Sequence, residues 1–291
     1  MADGWRTFLR EFLSFGLKEA RACAFAGSFF ALLAISRHVP LGALPRYDFL
    51  LLGALALQAA MLATKLETFD ELKAICVFHA LGFGLEAFKV QPAIGSWSYP
   101  EDGFTKLLGV PLYAGFMHAA VASYMVQAWR LLDLELVGAP SPRTSALLAA
   151  AIYANFFTHH FIGDYRWVLA AALAWQFRRT WVLFTPDRVR CRMPLLLAFV
   201  LIGFFVFLAE NVGTYLHAWR YPDQAAGWRP VHHGKFSSWT LLVVLTFVIV
   251  ADLKALKRTE ILQRRWWRRL AGRGMDVAAP LACPKAPPSS S

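Results

Sequence analysis

Eight apolar segments recur along the chain, at about 22–36, 49–64, 74–90, 107–129, 145–162, 167–184, 194–217 and 237–253. A bilayer span needs about 20 mainly apolar residues. The series therefore predicts an all-α polytopic membrane protein with about eight transmembrane helices. Composition agrees, with 57% hydrophobic and 17% charged residues and a mean hydropathy of +0.44. Soluble domains average roughly 45–50% apolar and about 25% charged. Disorder is excluded for the bulk of the chain, because it requires low hydrophobicity. Segment 167–184 leaves an alternative open, since Arg178 and Arg179 fall near its end. Without it the crossings number seven and the termini lie on opposite sides.

The net charge of +11 would raise nucleic acid as a partner in a soluble protein. Here no nucleic-acid motif accompanies it, and loop charge explains it, so no nucleic acid is expected. Sorted over alternate connections, 22 of the 30 Lys and Arg residues fall on one side and 8 on the other. Positive charge collects on the cytoplasmic side of a membrane. Eight spans with both termini cytoplasmic, in a bacterial inner membrane, follow as the expectation.

Residues 1–21 interleave Trp5, Phe8, Leu9, Phe12, Leu13 and Phe15 with Arg6, Arg10, Glu11, Lys18 and Glu19. The charges break any signal-peptide core, and the pattern suits an amphipathic helix on the membrane surface. The transmembrane domain then covers 22–253. Residues 254–275 contain Arg264-Arg265-Trp266-Trp267-Arg268-Arg269, a basic aromatic stretch suited to anionic lipid headgroups. Residues 276–291, rich in Pro, Ala and Ser, read as a disordered tail. Membrane lipids are thus the expected partners; the oligomeric state is left open. The cysteines Cys23, Cys76, Cys191 and Cys283 are scattered and form neither a zinc motif nor a disulfide framework.

One pattern occurs twice. Glu86 is followed by Trp97-Ser98-Tyr99-Pro100-Glu101, and Glu210 by Trp219-Arg220-Tyr221-Pro222-Asp223. The two glutamates sit in the third and seventh segments, four apart, so a duplication would be a parallel 4+4 repeat. Sites in membrane folds often form at repeat interfaces. The aromatics alone fit interfacial anchors. An ionisable group inside a span, costing about 2.5–3.5 kcal/mol on insertion scales, is a functional hypothesis by default. The alternative is that Glu86 and Glu210 pair with Lys89, Arg166 or Arg220 and only fasten helices together.

The topology gathers further polar groups toward the outer side: Asn155, His159, His160, Asp164, Asn211, His217, His232 and His233, with His118 near mid-depth and His79 two turns before Glu86 on the same face. His160 and Asp164 share a face only if the fifth helix continues past them. Three chemistries remain open. A carboxyl in a dry site can serve as a general acid, and Trp and Tyr faces stabilise cations. Glu86 and Glu210 would then be the acid and base, with Trp97, Tyr99, Trp219, Tyr221 and His118 around a lipophilic, isoprenoid-like substrate. Alternatively His159, His160, Asp164 and His217 would hold a divalent metal such as zinc or iron, although no H-E-x-x-H motif is present. The third is transport, which suits repeats with buried charges.

Two resemblances add to this reading. The run Glu19-Ala20-Arg21-Ala22-Cys23-Ala24-Phe25-Ala26-Gly27, with Glu86-Ala87-Phe88-Lys89 and Gly95-Ser96-Trp97-Ser98-Tyr99-Pro100, resembles the YoaT-like bacterial integral membrane proteins, domain-of-unknown-function family 817. That likeness covers roughly 10–270 and implies an inner-membrane protein without specifying its chemistry. A more limited likeness is to small membrane lycopene cyclases and carotenoid hydratases. These also place a Glu in a span before a W/Y-x-Y turn, followed by a start like Gly109-Val110-Pro111-Leu112. The cyclases carry a Pro-x-Glu-Glu pattern there, and both acids are missing from this chain.

Overall fold

Local chemistry sets where the helices begin. Thr68 and Glu71 form a reciprocal capping box at the start of α4 (Phe69–Lys89), each side chain bonded to the other's backbone amide. Ser141 caps α6 (Pro142–Thr158), whose first residue is a proline. Pro45 and Pro194 precede α3 (Arg46–Ala63) and α8 (Leu195–Tyr215). The remaining helices are α1 (Ala2–Ala22), α2 (Ala24–Ile35), α5 (Ala114–Leu131), α7 (Arg166–Phe177) and α9 (Gly234–Ala271). This is a computed structural model describing residues 2–271. It divides into two compact units, 1–251 and 252–291, and the packing described below lies within the first. Of the second, the helical backbone of α9 runs through Arg264–Arg269 to Ala271. The expected disordered tail, 276–291, lies outside the described residues.

The apolar segments correspond to α2–α9, so the chain is mostly helical, but not all-α as expected. Short strands β1 (Lys106–Leu107) and β2 (Val110–Pro111) form a hairpin. β3 (Glu135–Val137), β4 (Trp181–Phe184) and β5 (Cys191–Pro194) form an antiparallel sheet in the order β3-β4-β5, with Val182 opposite both Leu136 and Met193. Segment 167–184 is therefore a helix of 12 residues followed by a strand. An apolar run does not distinguish strand from helix, and Trp-Val-Leu-Phe favours the extended form.

Among the described residues, three helical stretches are long and apolar enough to cross a membrane: Arg46–Ala63, Leu195–Tyr215 and Gly234–Asp252. That is fewer than the eight expected, for identifiable reasons. α2 and α7 have 12 residues each, about 18 Å at 1.5 Å per residue. α4 carries Asp70, Glu71, Lys73, Glu86 and Lys89.

Bonds between the connections sort into two sets. At one end, Glu11 accepts from the amides of Asp187, Arg188 and Val189, Lys18 donates to Thr185, Arg130 reaches Glu71 and Leu66, and Thr180 donates to Gly138. At the other, Arg46 bonds Glu101, Leu216 and His217, Lys89 bonds His160, and Arg166 donates to Gly234. Helices α2–α9 thus run alternately between two ends. The first end carries α1 and the β3-β4-β5 sheet; the second carries both W-x-Y-P turns.

Two apolar clusters fill the interior. One centres on Phe177, Phe199 and Phe247, whose rings meet edge to face with centroids 5.0 Å apart for Phe199–Phe247. The other centres on Phe29, Tyr47 and Tyr113, and includes Trp97, Tyr99, Trp219 and Tyr221. Small residues allow this close packing, as in membrane helix pairs. A methyl on Gly82 of α4 would overlap His118 of α5, and one on Gly115 of α5 would overlap His79 of α4. Each helix makes room for the other's imidazole. Large apolar side chains are exposed along α1 (Trp5, Phe8, Phe12, Leu17) and α8 (Leu201, Phe204, Phe205, Leu208). Patches of this kind mark surfaces that meet a membrane or a partner.

Candidate functional site

A residue preceding proline is pushed to extended backbone. Tyr221, before Pro222, adopts φ −80 and ψ 155. Tyr99 precedes Pro100 in the same way. The two W-x-Y segments meet as an antiparallel bridge in which Ser98 and Arg220 exchange both backbone hydrogen bonds at 2.9 Å. The central residue of one turn pairs with the central residue of the other. Trp97 packs edge-on against Tyr221, centroids 6.2 Å apart.

Each turn reaches back to its own glutamate. Trp97 Nε1 and Tyr99 Oη donate to Glu86 Oε2 at 2.5 and 2.9 Å. Trp219 Nε1 donates to Glu210 Oε1 at 3.1 Å, and Tyr221 Oη donates to the same oxygen. Both carboxyls are buried, 3% and 5% exposed, yet neither lacks a donor. A methyl on Gly213 would overlap Trp219, so that glycine gives the indole its place beside Glu210.

The surroundings then differ. Glu86 Oε1 lies 2.9 Å from His118 Nε2, so both of its oxygens are engaged. Glu210 Oε2 takes no hydrogen bond among the described residues. Neither glutamate forms an ion pair with Lys89, Arg166 or Arg220, the helix-fastening arrangement raised above. Lys89 instead donates to His160 Nε2 at 2.7 Å, and Arg166 pairs with Asp164 at 2.6 Å.

A cavity of about 710 Å³ opens beside both carboxyls. Glu86, Trp97, His118, Glu210, Trp219 and Tyr221 line it, and the rest of its wall is dominated by apolar side chains such as Phe29, Leu85, Phe199 and Val243. Tyr99 stands behind the wall and acts on Glu86 instead. The structure thus assembles Glu86, Trp97, Tyr99, His118, Glu210, Trp219 and Tyr221 into one cluster.

The four candidate metal ligands are divided. His159 and His160 lie past the end of α6, ring centroids 4.0 Å apart. His159 Nδ1 faces the Asn155 carbonyl, leaving its Nε2 toward Lys89. His160 Nε2 is taken by Lys89 Nζ at 2.7 Å. Asp164 is bound to Arg166 and Asn155; the Arg166 amide and these side chains outweigh desolvation and hold its carboxyl low. Because α6 ends at Thr158, His160 and Asp164 do not share a helical face. His217 is elsewhere, against Arg37. Among the described residues no group of three or more His, Cys, Asp or Glu side chains is arranged to hold a metal ion.

Sequence reasoning passed over Lys235. Its ammonium lies 4.6 Å from the Tyr221 ring centroid and 5.5 Å from that of Trp97. The available signal was its position, a lysine at the head of the last apolar segment, directly after the second turn's loop.

A mostly helical protein with apolar helices and two paired aromatic-carboxyl turns beside an apolar cavity is the class that fold and site define. The family model described as "Protein of unknown function (DUF817)" matches residues 11–247. The chain is 52% identical over 249 residues to "Uncharacterized protein YoaT" of Bacillus subtilis (strain 168), covering 86% of this chain and 94% of that protein. No solved structure matches it. The chain belongs to the DUF817 family.

Proposed function

We propose that this is an eight-pass inner-membrane protein, both termini cytoplasmic, that binds a lipophilic, isoprenoid-like molecule and transforms it by acid–base chemistry. The observation that carries the reading is the 710 Å³ apolar cavity with two buried carboxyls in its wall. Ligand sites are mostly apolar with a few polar groups that fix orientation. The sorting of connections to two ends supports eight passes. The charge asymmetry supports α1 and the β3-β4-β5 sheet as the cytoplasmic end. The paired turns favour a parallel 4+4 duplication.

In this reading Glu210 is the acid. Its open Oε2 delivers a proton to an alkene carbon or an ether oxygen of the substrate and is left as a carboxylate. The cation that forms lies near the faces of Trp219 and Tyr221, which stabilise it. Glu86, with both oxygens engaged, holds Trp97, Tyr99 and His118 in place. Lipid extraction and native mass spectrometry of the protein in nanodiscs test this. A co-purifying lipophile that the wild type converts and Glu210→Gln only binds is the expected result. A variant converting it as fast as wild type overturns the assignment.

The reach of the cavity from Phe15 and Glu19 of α1 to Trp219 and Tyr221 favours a second reading, a carrier. Accumulation of the unchanged molecule in vesicles would decide for it.

A further inference from the structure

A second cavity, of about 270 Å³, adjoins the first at the turn-bearing end. The two share the walls Leu85, Trp97 and Trp239. The smaller has the more polar and more basic wall. Lys89, His159, Arg166, His232, Lys235 and Asn155 present cations and hydrogen-bond donors to the smaller one. Lys89 is 3% exposed, a lysine held inside the protein. Neither Lys89 nor Lys235 pairs with a carboxylate among the described residues. Lys89 is bonded to the imidazoles of His159 and His160, and Lys235 lies over two aromatic rings. The acids nearby are Asp164, taken by Arg166, and Glu210 and Asp223, which act on Lys235 only at longer range. The pocket therefore gathers more basic nitrogens than carboxylates, and neither of its lysines has an acidic partner among the described residues.

Buried charge without a counter-charge is costly, and several convergent N–H donors suit an anion with several oxygens. We propose that this pocket binds the phosphoryl or pyrophosphoryl head of an amphiphile whose hydrocarbon chain occupies the larger cavity. The proposal rests on the lipophile-binding reading above and specifies its substrate class as a phosphorylated lipid. The chain would pass the Trp97 wall common to both cavities. The head would then lie on the Lys235 side of the paired turns and the chain on the Glu210 side.

The test uses the full-length protein in nanodiscs, titrated with a polyprenyl phosphate, the matching polyprenol and inorganic pyrophosphate. A hydrogen bond to a charged group is worth about 1.5–3 kcal/mol, and each 1.4 kcal/mol is about ten-fold in affinity. The lipid phosphate should bind about ten-fold or more tighter than the alcohol. Lys235→Gln should weaken the phosphate about ten-fold and leave the alcohol unchanged. Equal affinity of phosphate and alcohol, indifferent to Lys235→Gln, overturns the head-group site while the cavity reading stands. Binding of neither lipid overturns both. Pyrophosphate alone binding as tightly as the lipid phosphate makes the ligand a free anion and overturns the chain assignment. Should Lys235→Gln fail to fold, Lys235→Met replaces it, with the same loss for the phosphate and the same indifference of the alcohol expected.

Discussion

The two W-x-Y-P turns are built alike and end in different chemistry. Around Glu86, three side chains from the turn and α5 occupy both carboxyl oxygens. Around Glu210, two donors converge on one oxygen, and the other is open beside the cavity. His118, bonded to the second oxygen of Glu86 and without a counterpart at Glu210 among the described residues, makes the difference. A repeated motif therefore fixes where a carboxyl sits, and residues outside the motif decide whether it is committed or available.

Substitutions can break this contrast. Replacing a general acid typically removes 10²–10⁴-fold of rate, so Glu210→Gln should lower conversion of the co-purifying lipid by about that much with little loss of stability. Equal rate losses from Glu86→Gln and Glu210→Gln, at equal stability, would make the two glutamates chemically equivalent. Stability should show the reverse order. Unsatisfied buried donors cost about 1–3 kcal/mol each, so Glu86→Ala should lose about 3 kcal/mol or more in thermal unfolding, against about 2 kcal/mol for Glu210→Ala.

The glycines probe the same contrast more gently. Overpacking typically costs about 1–3 kcal/mol. Gly82→Ala should displace His118 and shift its imidazole NMR signals, whereas Gly213→Ala should displace Trp219 and change its indole fluorescence. Each should leave the other reporter unmoved. Smaller still, Trp97→Phe and Trp219→Phe each remove one hydrogen bond, worth about 0.6 kcal/mol on average in a membrane protein.

The smallest effect lies outside the pair. Desolvation of Glu11 is outweighed by the amides of Arg188, Asp187 and Val189, which hold its carboxyl below the ordinary value of 4.5. A carboxyl lowered on folding stabilises above its unfolded value and loses that contribution as pH falls through the folded one. Amide-exchange protection at 187–189 should therefore drop below about pH 4.5 in the wild type, and Glu11→Gln should lack this transition.

The positions of the helices were legible in the sequence because apolar runs and caps are local. So were Glu86, Glu210 and their turns, because the same residue types recur at similar spacing. The β3-β4-β5 sheet was not. It pairs Val137 with Trp181 across 44 positions, and Trp181–Phe184 lies inside an apolar run that reads equally well as helix. His118 reads from the sequence as a residue near mid-depth, but its bond to Glu86 depends on Gly82 leaving room for the ring. Lys235 reads from the sequence only as one more loop charge, since the aromatic rings it lies over, Trp97 and Tyr221, are distant in sequence. The candidate metal ligands were grouped by depth, and depth says nothing about position around the bundle. That is why His217 and the His159–His160 pair lie apart.

The Ser98–Arg220 bridge has a mechanical consequence. It fastens the chain following α4 to the chain following α8 with two backbone bonds, and the Trp97 and Tyr221 rings pack together beside it. Backbone bonds do not depend on which side chains stand at Ser98 and Arg220, so the joint tolerates sequence change there. It acts as a pivot. Parting of the two halves at this end has to break the joint, whereas the far end is closed by α1 lying against the loop at 185–189. Each glutamate is bonded to its own turn, so the bridge that ties the turns together also sets the distance between the two carboxyls.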